Sequence, residues 1–206
     1  MLIYLHGFNS SPGSHKAEVL RRYLEERGMG GQHCCPALPH LPERAIAVIE
    51  AEIAKHPAES VTLVGSSLGG FYATRLAERH KLRAVLINPA VCPHHGLRAF
   101  LGAQRNLHTH EQYELTEEHL RQMAELDCPR IDPSRYLLLV ETLDEVLDYR
   151  QAVEKYRGAR QIIIEGGDHS LKSFPEHIPL ILEFARLGVP NDTRGLGPAR
   201  APKSDA

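Results

Sequence analysis

Short apolar segments alternate with amphipathic helical patterns along most of this chain of 206 residues. Each segment is apolar almost throughout, rather than at every second position, and is bounded by turn-forming residues. Continuous apolar strands are typical of sheets covered on both faces, and strand–helix alternation is typical of parallel pairing. The sequence therefore predicts one α/β domain with a mainly parallel six-stranded sheet and helices on both faces.

The predicted strands are LIYL (2–5), QHCCPAL (32–38), VTLVG (61–65), RAVLINP (83–89), RYLLLVE (135–141) and RQIIIEG (160–166). Ser11 and Pro12 predict the start of the first helix, as its N-cap and first helical position. Residues 91–134 interrupt the alternation and are predicted to form a helical cap insert. We expect the domain to span residues 1–188, and the tail at 189–206, rich in Gly and Pro, to be disordered.

The composition argues against several classes of partner. A formal net charge of −2 gives no electrostatic reason to bind nucleic acid or an anionic membrane, and no segment is apolar for long enough to predict a membrane span. Four cysteines without a spaced framework predict reduced thiols, and the start MLIYLHGFNS does not resemble a secretory signal, so we expect a cytoplasmic protein. None of the thirteen histidines has the spacing of metal ligands, so no metal or other cofactor is predicted.

Gly65-Ser66-Ser67-Leu68-Gly69 is a Gly-x-Ser-x-Gly sequence between a predicted strand and a predicted helix. A sharp strand-to-helix turn crowds its central residue, and glycine two positions before and after removes the side chains that would collide. Ser67 is therefore predicted to be a nucleophile at the carboxyl edge of the sheet, whereas Ser66 has no glycine two positions before it. Two alternatives are that both serines cap the helix, or that the turn binds phosphate, although it lacks the lysine of a phosphate-binding loop.

A serine hydroxyl needs a base at the same edge of the sheet before it becomes a good nucleophile. His169 follows the sixth predicted strand, behind two glycines, and is predicted to be that base. His6, directly after the first predicted strand, is the other histidine at a strand end. We expect His6 to hold its loop by hydrogen bonds, with a general-base role as the alternative.

A carboxylate that orients the imidazole should follow the fifth predicted strand. Asp144 lies in the loop three residues beyond that strand and is the preferred candidate, with Glu141 and Asp148 as alternatives. Glu141 is expected to lie on the strand itself, and Asp148 to cap or open the next helix. The chain order Ser67, Asp144, His169 is that of α/β-hydrolases.

The anionic tetrahedral intermediate of acyl transfer needs hydrogen-bond donors. The backbone N–H of Leu68, directly after the nucleophile, is predicted to be one donor. The second is predicted to be the N–H of Phe8 after the first strand, where Gly7 permits a close backbone approach.

Five segments together resemble the YqiA-type esterase family of α/β-hydrolases: YLHGFNSSP (4–12), VGSSLGGFYAT (64–74), INPAV (87–91), DEVLDYRQAV (144–153) and IEGGDHS (164–170). The resemblance spans roughly residues 1–187. It implies a reduced hydrolase sheet without two leading strands, and serine esterase chemistry without a cofactor. It also implies a triad of Ser67, Asp144 and His169, with the amides of Phe8 and Leu68 as the oxyanion hole. Leu143 departs from the glycine that usually precedes the acid in these enzymes.

The predicted function is therefore a serine esterase that hydrolyses small-molecule acyl esters or thioesters through an acyl-enzyme intermediate. The alternatives are a non-catalytic hydrolase-like protein that binds an acyl compound or another protein, and an amidase or peptidase with the same triad. Phe8 and Phe71 are candidates for the pocket, with Phe71 expected in the core. Apolar residues of the insert either line an acyl pocket or form the insert's own core: Leu97, Phe100, Leu101, Leu107 and Tyr113.

Overall fold

The computed structural model describes residues 1–188, so the tail predicted to be disordered at 189–206 lies outside the described residues. The strands are β1 (Leu2–Leu5), β2 (His33–Cys34), β3 (Thr62–Ser66), β4 (Arg83–Ile87), β5 (Gly102–Arg105), β6 (Gln112–Leu115), β7 (Tyr136–Glu141) and β8 (Arg160–Ile164). The α-helices are α1 (His15–Glu25), α2 (Pro42–Ile53), α3 (Leu68–His80), α4 (Pro93–Gly96), α5 (Glu117–Leu126), α6 (Tyr149–Lys155) and α7 (Phe174–Phe184). Short 3-10 helices are Gly30–Gln32, Ala58–Ser60, Leu97–Phe100 and Pro133–Arg135.

The central sheet has six strands in the order β2-β1-β3-β4-β7-β8, and each neighbouring pair is parallel. Successive side chains of β1 point to opposite faces, so that Ile3 and Leu5 join one apolar cluster and Leu2 and Tyr4 join another. Helices α2, α3 and α6 contribute to the first cluster, and α1 and α7 to the second. The prediction of a parallel sheet with both faces covered is confirmed.

Two predicted boundaries near the β2 edge of the sheet are wrong. β2 has only two residues, since Pro36 has no N–H with which to extend the pairing to β1. α1 begins at His15, because the preceding residues form a turn in which Ser14 N–H donates to the Ser11 carbonyl. Ser11 Oγ accepts from Gly13 N–H at 3.1 Å, so this side chain stabilises the turn instead of capping the helix.

The insert at 91–134 is helical only in part, which corrects the prediction of a helical cap. α4, Leu97–Phe100 and α5 are helical, but β5 and β6 pair as an antiparallel ribbon. Neither strand contains a β-branched residue, so the usual sequence signal is missing. The loop between β5 and β6 is instead stabilised by Asn106, because its Oδ1 accepts from His108 N–H and Thr109 N–H at 2.9 Å each.

The β5–β6 ribbon is hydrogen-bonded to the loop after β1. Leu107 N–H donates to Asn9 O at 2.9 Å, and Asn106 Nδ2 donates to Ser10 O at 2.8 Å. Tyr113 OH donates to Asn9 Oδ1 at 2.7 Å. Asn9 has a φ of 51°, which asparagine tolerates better than most residues. The ribbon therefore holds the loop after β1 in its conformation.

A pair of histidines joins the insert to the segment before α2. His119 Nδ1 accepts from Thr116 N–H at 3.1 Å, so the neutral ring carries its proton on Nε2. That Nε2 lies 3.0 Å from His40 Nδ1 and donates to it. His119 thereby replaces the Glu or Gln of a capping box at the start of α5. Burial, followed by the nearby His40, lowers the pKa of His119.

The turn between β3 and α3 is packed so closely that its glycines have no room for a Cβ. A Cβ on Gly65 would lie 2.7 Å from Gly70 Cα, and one on Gly70 would lie 2.6 Å from Pro89 Cβ. A Cβ on Gly69 would overlap the backbone carbonyl of Leu5. The backbone of β1 and the segment after β4 leave no space for side chains at these positions. This explains the glycines around the serine pair.

Replacing Gly69 with alanine should therefore destabilise the whole domain. The added methyl group meets backbone that cannot move without displacing β1, so we expect a loss of at least about 3 kcal/mol in the free energy of unfolding. Gly31→Ala is the matched control, because a Cβ at Gly31 meets nothing within 4 Å, and it should change stability by less than about 0.5 kcal/mol. Denaturant titration checks both values, and equal stabilities would contradict the packing argument.

The histidine pair should make the stability of the insert depend on pH. Because the pKa of folded His119 lies below its usual value, the unfolded chain binds more protons near pH 6, and stability falls as the pH drops below about 6.5. His119→Gln retains a capping-box acceptor that does not titrate. This variant should lose less stability than the wild type between about pH 7.5 and about pH 5. His108→Gln, at an exposed site, should leave the pH profile unchanged.

Candidate active site

Ser67 occupies the strand-to-helix turn itself, whereas Ser66 is the last residue of β3. Ser67 has a φ of 53° and a ψ of −120°, a conformation that costs a residue other than glycine about 1–3 kcal/mol. Its N–H donates to Ile87 O at 3.0 Å, and its carbonyl accepts from Ala90 N–H at 3.1 Å. β4 and the segment after it therefore hold the strained serine at the N-terminus of α3, where the helix dipole favours negative charge.

The loop after β1 passes directly beside the serine. A Cβ on Gly7 would lie 3.2 Å from Ser67 Cβ and 3.7 Å from Ser67 Oγ, so glycine gives the backbone its close approach here. Phe8 and Leu68 line the same cavity as Ser67. Among residues 1–188, neither the Phe8 N–H nor the Leu68 N–H donates to a backbone carbonyl. Both amides are thus available as donors, and their role in an oxyanion hole stays a prediction.

His169 and Asp144 form a direct pair. His169 Nδ1 lies 2.8 Å from Asp144 Oδ2, and the Asp144 side chain is 1% exposed. Asp144 Oδ1 accepts from Val146 N–H and Leu147 N–H at 2.8 Å each, which leaves Oδ2 for the histidine. Burial raises the pKa of Asp144, but the hydrogen bonds from His169, Leu147 and Val146 outweigh it, and this pKa lies below its usual value.

The two alternative acids contact other groups. Glu141, at the end of β7, accepts from Asp168 N–H at 2.7 Å. Asp148 is the N-cap of α6, and its carboxylate accepts from the backbone N–H and the guanidinium of Arg150. Asp144 is therefore the acid that the structure brings to His169. Leu143, in place of the usual glycine, has an exposed side chain and no positive φ, so the loop does not require glycine there.

Asn88, which the sequence analysis did not select, connects the serine turn to the loop that carries His169. We call residues 165–170, after β8, the His169 loop. Asn88 directly follows Ile87, the acceptor of Ser67 N–H, and its Nδ2 donates to the carbonyls of Asp168 and His169 at 3.3 and 3.2 Å. Within the described chain no hydrogen bond joins the Ser67 hydroxyl to His169. One feature of the sequence could have indicated Asn88: it lies at a strand end directly before a proline, a position that favours turn geometry.

His6 is committed to structural hydrogen bonds. Its Nδ1–H donates to Gly7 O at 3.1 Å, and its Nε2 accepts from Leu38 N–H at 3.2 Å. Burial lowers the pKa of this imidazole, which keeps it in the neutral form that these two bonds require. The geometry agrees with the expectation that His6 holds its loop, because neither ring nitrogen is left to accept a proton from Ser67.

A cavity of about 730 Å³ lies against Ser67. Its lining is largely apolar and comes from the turn, the insert and the loop before α6, as represented by Leu68, Leu97 and Val146. Phe100 also lines this cavity although its side chain is 55% exposed, which places it at the mouth.

The remaining apolar candidates lie elsewhere. Leu101 and Leu107 are exposed and are not among the residues that line this cavity. Tyr113 hydrogen-bonds to Asn9 and stacks on His40, so it belongs to the contact between insert and core. Phe71 is buried in the core, as expected. The insert therefore contributes Leu97 and Phe100 to the cavity and Tyr113 to its contact with the core.

Two kinds of feature are absent from residues 1–188. In that range no cluster of three or more His, Cys, Asp or Glu side chains is arranged to hold a metal ion. None of the helices there has the length and apolar character needed to cross a membrane.

Sequence comparison finds one family over nearly the whole described chain. The model of a family described as "Uncharacterised protein family (UPF0227)" matches residues 1–186. Among individual relatives, the UPF0227 protein YcfP of Salmonella gallinarum is 24% identical over 200 residues, covering 91% of this chain and 100% of the relative.

Solved structures show the same fold at low sequence identity. Alpha/beta hydrolase domain-containing protein 10 from mouse superposes with a TM-score of 0.69 at 14% identity, covering 90% of this chain and 89% of its own. The monoacylglycerol lipase of Paleococcus ferrophilus superposes with a TM-score of 0.63 at 18% identity, covering 91% and 94% of the two chains. The chain therefore has the predicted α/β-hydrolase fold.

The pair of His169 and Asp144 should fix the tautomer of the imidazole. Asp144→Asn retains Oδ1 for Val146 N–H and Leu147 N–H but presents an amide donor to Nδ1, so the proton of neutral His169 should move from Nδ1 to Nε2. Nitrogen chemical shifts of the ring, measured by NMR, distinguish the two tautomers. Asp148→Asn is the matched control and should leave the His169 tautomer unchanged. An unchanged tautomer in Asp144→Asn would contradict the assigned pair.

Proposed function

The chain belongs to the UPF0227 family, and we propose that it is a serine hydrolase that cleaves carboxylic esters or thioesters of small molecules. One observation carries the proposal: a serine in a strained strand-to-helix turn lines an apolar cavity, and the ends of neighbouring strands support a buried carboxylate paired with a histidine. Residues held in such sparsely populated conformations cluster at active sites and ligand clamps. Nucleophile turns of α/β-hydrolases use this strain to expose the hydroxyl.

In the proposed reaction, Ser67 Oγ attacks the substrate carbonyl while His169 Nε2 accepts the hydroxyl proton. The Nδ1–H of His169 donates to Asp144, so Nε2 is the nitrogen left to act as the base. His169 then protonates the leaving alcohol or thiol as the acyl-enzyme forms. Water, deprotonated by the same nitrogen, releases the acid and restores Ser67.

Electrostatics in the site favour these charge changes. Asp144 has a lowered pKa, so it is ionised at neutral pH and stabilises the imidazolium that forms during attack. The amides of Phe8 and Leu68 are proposed to donate to the tetrahedral oxyanion beside the N-terminus of α3. Loss of one such donor typically costs about 10²- to 10³-fold in rate.

The cavity supports an apolar acyl substrate. Its volume of about 730 Å³ and its largely apolar lining suit an ester whose acyl group leaves water on binding. One structural neighbour is a monoacylglycerol lipase, a name that also refers to ester cleavage. An amidase or peptidase is the alternative within the same chemistry, because a serine triad does not by itself select the leaving group.

We also propose a cytoplasmic location. All four cysteines are free, as expected in a reducing compartment. Burial raises the pKa of the Cys34 and Cys35 thiols to about 12, so they stay protonated and unreactive.

The serine assignment is tested with a fluorophosphonate probe and a panel of p-nitrophenyl esters, acyl thioesters and acyl anilides. Wild-type protein should form one covalent adduct, on Ser67, and hydrolyse esters or thioesters. Ser67→Ala should remain folded, form no adduct and lose turnover by about 10³-fold or more. Ser66→Ala, at the neighbouring position, is the matched control and should still be labelled on Ser67.

Two results would contradict the proposal. Wild-type protein that forms no adduct and cleaves no member of the panel would favour a non-catalytic binding protein. Preferential cleavage of the anilides would instead favour an amidase or peptidase.

A further inference from the structure

We infer that Asn88 and Glu141 are positioning residues that hold His169 at the correct distance and angle from Ser67. The inference rests on the proposed function, since it concerns the geometry of the proposed base. Neither side chain is proposed to touch the substrate. Both are 2% exposed and lie at the ends of adjacent strands, β4 and β7.

Hydrogen bonds from these two side chains fix the backbone of the His169 loop. Asn88 Nδ2 donates to the carbonyls of Asp168 and His169. Glu141 Oε2 accepts from Asp168 N–H at 2.7 Å. Asn88 Oδ1 accepts from Glu141 N–H at 3.0 Å, which joins the two supports to each other. The peptide groups on both sides of residue 168 are therefore held by side chains of the sheet.

The loop has little conformational preference of its own. Gly166 and Gly167 have φ values of 83° and 74°, and glycine residues impose no side-chain restriction on the backbone. The missing side chain of Gly167 is also where Glu141 fits, because a Cβ there would overlap the Glu141 carboxylate. Loop and support are thus complementary in shape, and the sheet determines where the histidine lies.

The same support is continuous with the serine turn. Asn88 N–H donates to Leu139 O at 2.9 Å, while the preceding residue, Ile87, accepts from Ser67 N–H. Asn88 has a φ of 39°, in the left-handed region that asparagine adopts more readily than most residues other than glycine. Hydrogen bonds at the end of β4 therefore connect Ser67 to the His169 loop through Ile87 and Asn88. No direct hydrogen bond joins Ser67 to His169 among the described residues.

Gly166, at the start of the loop, is hydrogen-bonded to Thr142 and Leu143 after β7. Two other contacts hold the part of the loop next to His169 from the surface. Glu145 accepts from His169 N–H at 2.9 Å, and Lys16 Nζ donates to Ser170 O at 2.8 Å. Glu145 is exposed and Lys16 is only partly buried, so solvent competes with both. The buried pair, Asn88 and Glu141, is consequently the support that water cannot replace.

The test uses two variants that keep side-chain size. Asn88→Asp replaces the two donations to loop carbonyls with a carboxylate oxygen that repels them, while retaining the acceptor for Glu141 N–H. Glu141→Gln retains an acceptor for Asp168 N–H and is the conservative variant. Gln122→Glu is the matched control, since Gln122 is a buried amide in α5 that contacts Glu43 and Glu118.

We expect Asn88→Asp to lower kcat for a p-nitrophenyl ester by about 10- to 100-fold, with KM changed by less than about twofold, because misplaced catalytic groups reduce turnover more than binding. Glu141→Gln should retain more activity than Glu141→Ala. The NMR signal of the His169 Nδ1 proton, which is independent of turnover, should broaden in Asn88→Asp. Gln122→Glu should leave kcat, KM and this signal unchanged.

The possible failures are distinguishable. If Asn88→Asp and Glu141→Ala keep wild-type kcat and the wild-type His169 signal while His169→Ala is inactive, the positioning role is overturned and the serine hydrolase stands. If His169→Ala hydrolyses esters as well as the wild type, the proposed function itself fails. If Asn88→Asp does not fold, kcat of Glu141→Gln is compared with kcat of Glu141→Ala. An equal loss of kcat in both variants would overturn the role of the retained acceptor.

Discussion

Contact between the backbone of Gly69 and the carbonyl of Leu5 is the constraint on which the site depends. It brings the first turn of α3 against the end of β1, while Pro89 closes in on Gly70 from the other side. Ser67 directly precedes this turn, and its backbone is hydrogen-bonded to Ile87 and Ala90 on either side of Pro89, so it cannot relax without moving that segment. The strain at the serine is therefore maintained by ordinary packing in the sheet, and the loop after β1 is brought beside the hydroxyl by the same approach.

Much of the fold was predictable because its signals are local. Continuous apolar strands predict a parallel sheet that is covered on both faces, and the glycines around Ser67 predict a crowded turn. The β5–β6 ribbon was not predictable in this way, since it lacks β-branched residues and depends on the side chain of Asn106. β2 is short because Pro36 stops its pairing with β1. How much this proline shortens the strand depends on how many residues of β1 remain to be paired, which the sequence of β2 alone does not give.

The candidate site likewise has residues that local sequence signals indicate and residues that only contacts in the folded chain reveal. Ser67, Asp144 and His169 could be proposed from their places after strands and from a family resemblance. The positioning roles proposed for Asn88 and Glu141 could not, because they come from contacts between segments 27 to 81 residues apart in sequence. Asparagine after a strand and glutamate at a strand end are common, and only the folded chain shows that both bind one loop. Sequence patterns thus indicate the candidate reacting groups better than the residues proposed to hold them.

Hydrogen bonding of the β5–β6 ribbon to Asn9 and Ser10 has a consequence for how such a protein could diversify. These two residues directly follow Phe8, so the insert that borders the cavity also braces the backbone next to Ser67. Grafting an insert from another protein of this fold would remove the hydrogen-bond partners of Asn9 and release that backbone. Under the proposed function, new substrate ranges in this lineage should therefore arise by concerted change of insert and loop, rather than by exchange of the insert as a self-contained module.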